Sequence, residues 1–170
     1  MIGTLDHNCL IELEQDGPQA KAVRFLVRAH AYGQATIRVV AVGASERIVG
    51  GGTAQNYSHF EERLQRLGLG RLPVLLPLVV YDYGFWAHGL LADDEMGALR
   101  TRLRAELFPK KTALSRGDEC DVLSMWAHIY HEGDTFITSD GNFHRKAAGL
   151  ARLGAGVILS PNDAVATLSS

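Results

Sequence analysis

Cysteine is scarce in this chain of 170 residues: Cys9 and Cys120 are the only two, far apart, without the paired spacing of a zinc site or an accompanying secretory leader. They are expected as buried, reduced thiols of a cytoplasmic protein. Long hydrophobic runs are lacking too. The longest apolar stretch, from Leu72 to Tyr81, holds two prolines and falls far short of the roughly 18 apolar residues that a membrane span needs. A soluble protein with no membrane contact is expected. Neither sign of charge dominates, with 17 Lys and Arg against 19 Asp and Glu and a formal net charge of −2. That balance excludes a protein that coats nucleic acid by bulk charge, yet a local basic patch can sit beside an acidic pocket. Internal repeats, low-complexity tracts and linkers are also missing. The 46% hydrophobic content and the length fit one globular domain over residues 1–170 with a substantial core.

Two short strand-like runs, Ile2 to Leu5 and Thr36 to Val40, bracket a helix predicted from about Gly17 to Tyr32, where Ala22, Val23, Leu26, Val27 and His30 recur at helical spacing. Gly33 follows as its C-cap. A short helical piece is expected around Ala44 to Val49, then the break Gly50-Gly51-Gly52, then a helix from about Ser58, spaced for a capping box with Glu61, to Gly68. Leu72 to Tyr81 reads as a strand or extended connector, and Asp93 opens a charged helix towards Phe108. The last third alternates plainly. A helix from Asp118 to His131, a strand from Thr135 to Thr138, a helix from Asn142 to Leu153, a strand from Gly156 to Leu159 and a final helix after Ser160-Pro161 follow in turn. This alternation is the pattern of a central, mainly parallel sheet with helices on both faces, a three-layer α/β/α sandwich.

In such a sheet the binding crevice lies beyond the carboxyl ends of the strands. Asp6 directly follows the first strand, Asp140 follows Phe136-Ile137-Thr138 with one residue between, and Glu46 comes shortly after the second strand. Asp121 sits near the start of the helix that feeds the Asp140 strand, which brings it to the same edge, and Asp118 lies one turn earlier on the same helix face. Carboxylates gathered there repel one another unless a cation offsets them. Hard oxygen donors point to Mg²⁺ or Mn²⁺ held by Asp6, Glu46, Asp118, Asp121 and Asp140. Any one of these acids alone is explained as a helix cap or turn residue, Asp118 most easily. Capping does not explain why Asp6, Asp121 and Asp140 converge on one end of the sheet.

These residues resemble a PIN domain, the fold of VapC-type ribonuclease toxins and many RNA-processing nucleases. Leu5-Asp6-His7-Asn8-Cys9-Leu10-Ile11 is similar to the family's opening motif. Asp121-Val122-Leu123 with Ala127-His128-Ile129 is similar to the helix of the third acid, and Phe136-Ile137-Thr138-Ser139-Asp140-Gly141-Asn142-Phe143 to the loop of the fourth. The resemblance covers about the first 50 and last 55 residues; the stretch from about 69 to 116 reads as a helical insertion or elaboration. It implies a metal-dependent endoribonuclease with Asp6, Glu46, Asp121 and Asp140 as its acids, and Thr138 and Asn142 supporting them. Glu61 and Glu62 compete with Glu46 for the second place. The resemblance further implies single-stranded RNA as substrate, a homodimer, and either a housekeeping role or that of a toxin with an antitoxin partner.

Basic residues flank the motif. His144, Arg145 and Lys146, with Asn142, are candidates for substrate binding, and Arg100, Arg102, Arg104, Lys110, Lys111 and Arg116 form a second candidate rim for phosphates. Solvated helix faces explain these charges equally well. His7 and His128 are expected to be structural, Trp86 and Trp126 to be core anchors, and Gly50-Gly51-Gly52 to be a turn, since no Lys-Ser/Thr follows it. Two other readings compete. A PIN-like domain that has lost catalysis would serve as an RNA-binding or protein-interaction module. A phosphatase of another α/β fold needs a second aspartate after Leu5-Asp6, where His7-Asn8 stands.

Overall fold

The computed structural model describes residues 1–44, 57–79, 89–91 and 93–169. Five parallel strands form one sheet: β1 (Ile2–Leu5), β2 (Thr36–Val40), β3 (Val74–Leu75), β4 (Thr135–Ile137) and β5 (Val157–Leu159), in the order β3-β2-β1-β4-β5. Among the described residues seven α-helices cover it: α1 (His7–Gln15), α2 (Ala20–Ala31), α3 (Tyr57–Arg66), α4 (Asp94–Leu107), α5 (Arg116–Tyr130), α6 (Gly141–Arg152) and α7 (Pro161–Leu168).

Alternation along the strands divides the core into two halves. Leu5, Ile37, Val39 and Ile137 face one side with residues of α1, α2, α3 and α7, while Val40, Phe136 and Ile158 face the other with α4, α5 and α6. Near-continuous burial on both faces is what a parallel sheet between two helical layers requires. The architecture is therefore the expected three-layer α/β/α sandwich.

The strand order fixes where a site can form. From β1 the chain steps outward through β2 to β3, then returns to the opposite side of β1 as β4. The direction of winding reverses between β1 and β4, and their carboxyl ends open the crevice characteristic of such a switch point. Leu5 pairs with Ile137 in the register of these two strands, so Asp6 and Thr138 leave the sheet side by side.

One local feature differs from expectation. Between Asp6 and Gly17, where periodicity predicts no element, the chain forms α1. Asn8, Cys9 and Ile11 are modest helix formers, and burial of Cys9, Leu10 and Leu13 against the sheet carries the helix instead. Of the stretch from Leu72 to Tyr81, expected as a strand or extended connector, the described residues hold the short strand β3 between Pro73 and Pro77, neither of which has an N–H to give to a ladder. Residues Ala41–Ala44 form a 3-10 turn directly after β2, and the helical piece expected from Ala44 to Val49 lies largely outside the described residues. Within the stretch from 69 to 116, α4 joins the second layer, its Leu103 and Leu107 buried in the half-core shared with α5 and α6.

Candidate functional site

Asp6 is the hub of the crevice. Its main chain is extended (φ −71°, ψ 161°) just past the end of β1, and its N–H donates to Ile137 O at 2.9 Å. Although Asp6 is the N-cap of α1, its side chain makes no capping hydrogen bond. The carboxylate, 2% exposed, instead accepts from Thr138 Oγ1 at 2.7 Å and Asn8 Nδ2 at 3.0 Å, both at Oδ2. These two donors orient the carboxylate.

Thr138 links two acids. Its hydroxyl hydrogen goes to Asp6, and the same oxygen accepts the main-chain N–H of Asp140 at 3.0 Å. Thr138 is fully buried, so this hydroxyl holds one arrangement rather than exchanging with water. Asp140 then caps α6, its Oδ1 accepting Asn142 N at 2.7 Å. Asn142 supports the site through its main chain. On α6, His144 Nε2 donates to Thr138 O at 3.0 Å, since a carbonyl can only accept. Arg145 folds back over Gly141, where a Cβ would stand 3.0 Å from its Nη1. Lys146 is half-buried on the same helix.

Asp121 approaches from the other layer. It is half-buried on α5, one turn before the buried Ser124. Ser124 lines a small hollow with Leu5, His7, Val39 and Val40, at the carboxyl ends of β1 and β2. Residues three apart share a helix face, so Asp121 lies on the face of α5 that carries Ser124. Asp118 has other work. Ser115 and Asp118 form a reciprocal capping box, and Lys111 Nζ meets both Asp118 oxygens at 2.8 and 2.7 Å. These contacts hold its carboxyl below the usual range despite partial burial, and they explain Asp118 without a ligand role. Glu46 lies outside the described residues, while its competitors Glu61 and Glu62 are exposed on α3. Among the described residues, no three His, Cys, Asp or Glu side chains form a group that could hold a metal ion.

The second basic rim is partly used within the fold. Arg100 donates to Glu119 Oε1 through Nε at 2.8 Å and Nη2 at 2.6 Å, Arg104 to Thr112 O, and Lys111 to Asp118. Arg102, Lys110 and Arg116 are exposed.

His128 is buried between Thr4 and Ala155 O, as a core histidine. Trp126 is buried as an anchor, its Nε1 donating to Met96 O at 3.1 Å, whereas Trp86 and Gly50-Gly51-Gly52 lie outside the described residues. Both cysteines are buried and unbridged. Cys9 donates its thiol to Ile137 O at 3.3 Å, and burial, reinforced by the charge of Asp6, raises its pKa well above that of an ordinary thiol. It is therefore no nucleophile.

Beside Asp6 lies a network that no motif announces. Arg63, 2% exposed, makes a two-pronged ion pair with Glu14 at 2.8 and 2.9 Å, and its Nη1 lies 3.5 Å from His7 Nδ1. The signal is present in the α3 sequence, where Phe60, Arg63, Leu64 and Leu67 recur at helical spacing and put an arginine on the apolar face. No described helix is long and apolar enough to cross a membrane. No family model, curated protein or solved structure matches this chain.

Proposed function

We propose that this protein is a PIN-like nuclease that hydrolyses phosphodiester bonds of single-stranded RNA with Mg²⁺ or Mn²⁺. The observation that carries the reading is the Asp6–Thr138–Asp140 chain at the β1/β4 switch point: a buried carboxylate, not spent on capping its own helix, oriented by a neighbour that also ties down a second aspartate. The donors at this edge are carboxylate oxygens, the type hard divalent cations take. Asp6, Asp121 and Asp140 would hold the ion, and Glu46 is the fourth candidate. A bound divalent ion supplies an acidified water and a counter-charge for the scissile phosphate.

The protein's own part is orientation. Thr138 keeps Asp6 in one rotamer, and Asp140 is fixed through its N–H and its bond to Asn142. Arg145, folded over the first turn of α6 beside the tethered His144, puts donor groups next to that edge for substrate phosphates. Asp118 has no place in this proposal.

The test is cleavage of a labelled single-stranded RNA by purified protein with Mn²⁺. Parent protein should cut it, and Asp140→Asn, which keeps a good helix cap, should lose on the order of a hundredfold or more in rate. Equal cleavage by the two proteins defeats the proposal. Among the described residues no group of three ligands forms, and a domain that binds RNA or protein without catalysis is the second reading. In that case Mn²⁺ would leave the melting temperature unchanged, whereas a ligand of the folded state raises it.

A further inference from the structure

Away from the sheet edge, α2 carries a surface of one sign. Two adjoining hollows of about 460 and 300 Å³ share Val27 and Gly68 and form one trough along α2, reached also by Leu13 of α1 and the turn after α3. Lys21, Arg24 and Arg28 rim it from successive turns of α2, and Arg71 extends the rim. Among the described residues no carboxylate lines either hollow. In a chain of formal net charge −2, so many cations facing one trough form a local positive field. Asp16 reaches Arg24 at 2.8 Å, but with Arg24 50% and Asp16 78% exposed the pair is weak enough for an incoming acid to displace.

A polyanion and an acidic peptide both satisfy this charge, and the floor separates them. Grooves for single-stranded nucleic acid use aromatic faces on which bases stack. Among the described residues no Phe, Tyr or Trp lines this trough, and its one imidazole, His30, is held by accepting the Ile37 N–H at Nδ1 (3.2 Å); the rest of its floor is aliphatic, with Leu13, Val27, Leu67 and Leu72. An amphipathic helix presents apolar side chains at i, i+3, i+4 and i+7 to such a floor, with its flanks free to carry charge. The twelve residues of α2 extend about 18 Å, the length of roughly three turns of a partner helix.

We infer that the trough docks an amphipathic helix of a partner protein, apolar towards Leu13 and Val27 and acidic along the flanks that meet Lys21, Arg28 and Arg71. The trough shares no residue with the carboxylate edge, so this docking is independent of nuclease activity.

The probe is a panel of fluorescent helical peptides about 18 residues long, leucine on one face and glutamate on both flanks, in several registers. A scrambled peptide and a uridine oligonucleotide complete the set, each titrated against the whole protein by fluorescence anisotropy. At least one acidic helix should bind roughly tenfold more tightly than its scrambled form, and Lys21→Glu with Arg28→Glu should weaken it by about tenfold or more. Both positions are exposed, and a melting curve checks that the double variant folds. Asp140→Asn should bind the helix as the parent does. The inference is overturned if no helix in the panel binds, or if the double variant binds as well as the parent. Displacement of the helix by the oligonucleotide, with the oligonucleotide itself weakened by the double variant, assigns the trough to nucleic acid and overturns it equally.

Discussion

Thr4 and His128 hydrogen-bond across the interface between β1 and α5, Oγ1 to Nδ1 at 2.9 Å. Ala155 O stands 2.9 Å from Nε2 on the far side of the ring and can only accept, so Nε2 carries the proton and Nδ1 accepts the threonine hydroxyl. A neutral imidazole thus ties the centre of the sheet to the turn before β5. Burial, helped by the nearby charge of Arg38, lowers its pKa from 6.5 to about 4.

Acid should therefore weaken the fold through His128. Between about pH 6.5 and 4 the unfolded chain binds a proton that the folded one refuses, so stability is complete above the unfolded pKa and falls as pH drops towards the folded one. A separation of roughly two and a half units corresponds to about 3 kcal/mol. Urea unfolding across this range should show His128→Gln to be less stable than the parent at neutral pH but distinctly less sensitive to acid. Parallel pH profiles for the two proteins would remove His128 as the cause.

Thr138 is the position at which structure and proposed chemistry meet. Thr138→Val keeps the shape but removes the hydroxyl that donates to Asp6 and accepts from Asp140 N. Loss of partners by buried groups costs about 1–3 kcal/mol, and any cleavage activity should fall with it. Thr138→Ser restores the hydroxyl and should recover most of both. If the valine variant matches the parent in melting temperature and in cleavage, the hydroxyl orients nothing of consequence.

The part of this site that is legible in the sequence is the part set by adjacency along the chain. Asp6 and Asp140 follow strands that can be recognised by their apolar runs, and the parallel arrangement brings strand ends together. Asp118 shows the limit of that logic: its spacing matches the helix face of Asp121, but Ser115 three residues earlier and Lys111 in the preceding loop claim its oxygens. Helix α1 escapes notice because its residues gain their helical order from tertiary burial rather than propensity. The basic trough escapes for another reason, since it joins α1, α2 and the turn after α3, and no single window of sequence contains it.

Arg63 yields a prediction about stability alone. Its guanidinium is buried and paired with Glu14, whose carboxyl it holds below the usual range, chiefly through their hydrogen bonds. Arg63→Met leaves the Glu14 carboxylate only the looser contact with exposed Arg66 at 3.8 Å and should cost about 3–5 kcal/mol in chemical denaturation. Replacing both partners, Arg63→Met with Glu14→Leu, should recover much of that loss, because two apolar side chains leave no unpaired charge. A double variant at least as unstable as Arg63→Met would show that the arginine acts through something other than this pair.

Gly3, in the middle of the strand that leads to Asp6, owes its identity to packing. A Cβ at this position would stand 2.8 Å from Ile137 Cδ1 and 3.1 Å from Ile37 Cδ1, both from fully buried side chains of the flanking strands. Those methyl groups are side-chain ends, but the close-packed half-core gives them little room to withdraw. Gly3→Ala should therefore destabilise by about 1–3 kcal/mol through overpacking. Ile137→Val removes the nearer methyl group and alone should cost about 0.5–1.5 kcal/mol by leaving a small cavity. Combined, the added methyl fills the space left by the lost one, so the double variant should be clearly more stable than the sum of the singles predicts. Strict additivity in a double-mutant cycle would mean that β1 shifts to admit the alanine. Such a shift would also disturb the bond between Asp6 N and Ile137 O, and accelerated hydrogen exchange at the Asp6 amide would reveal it.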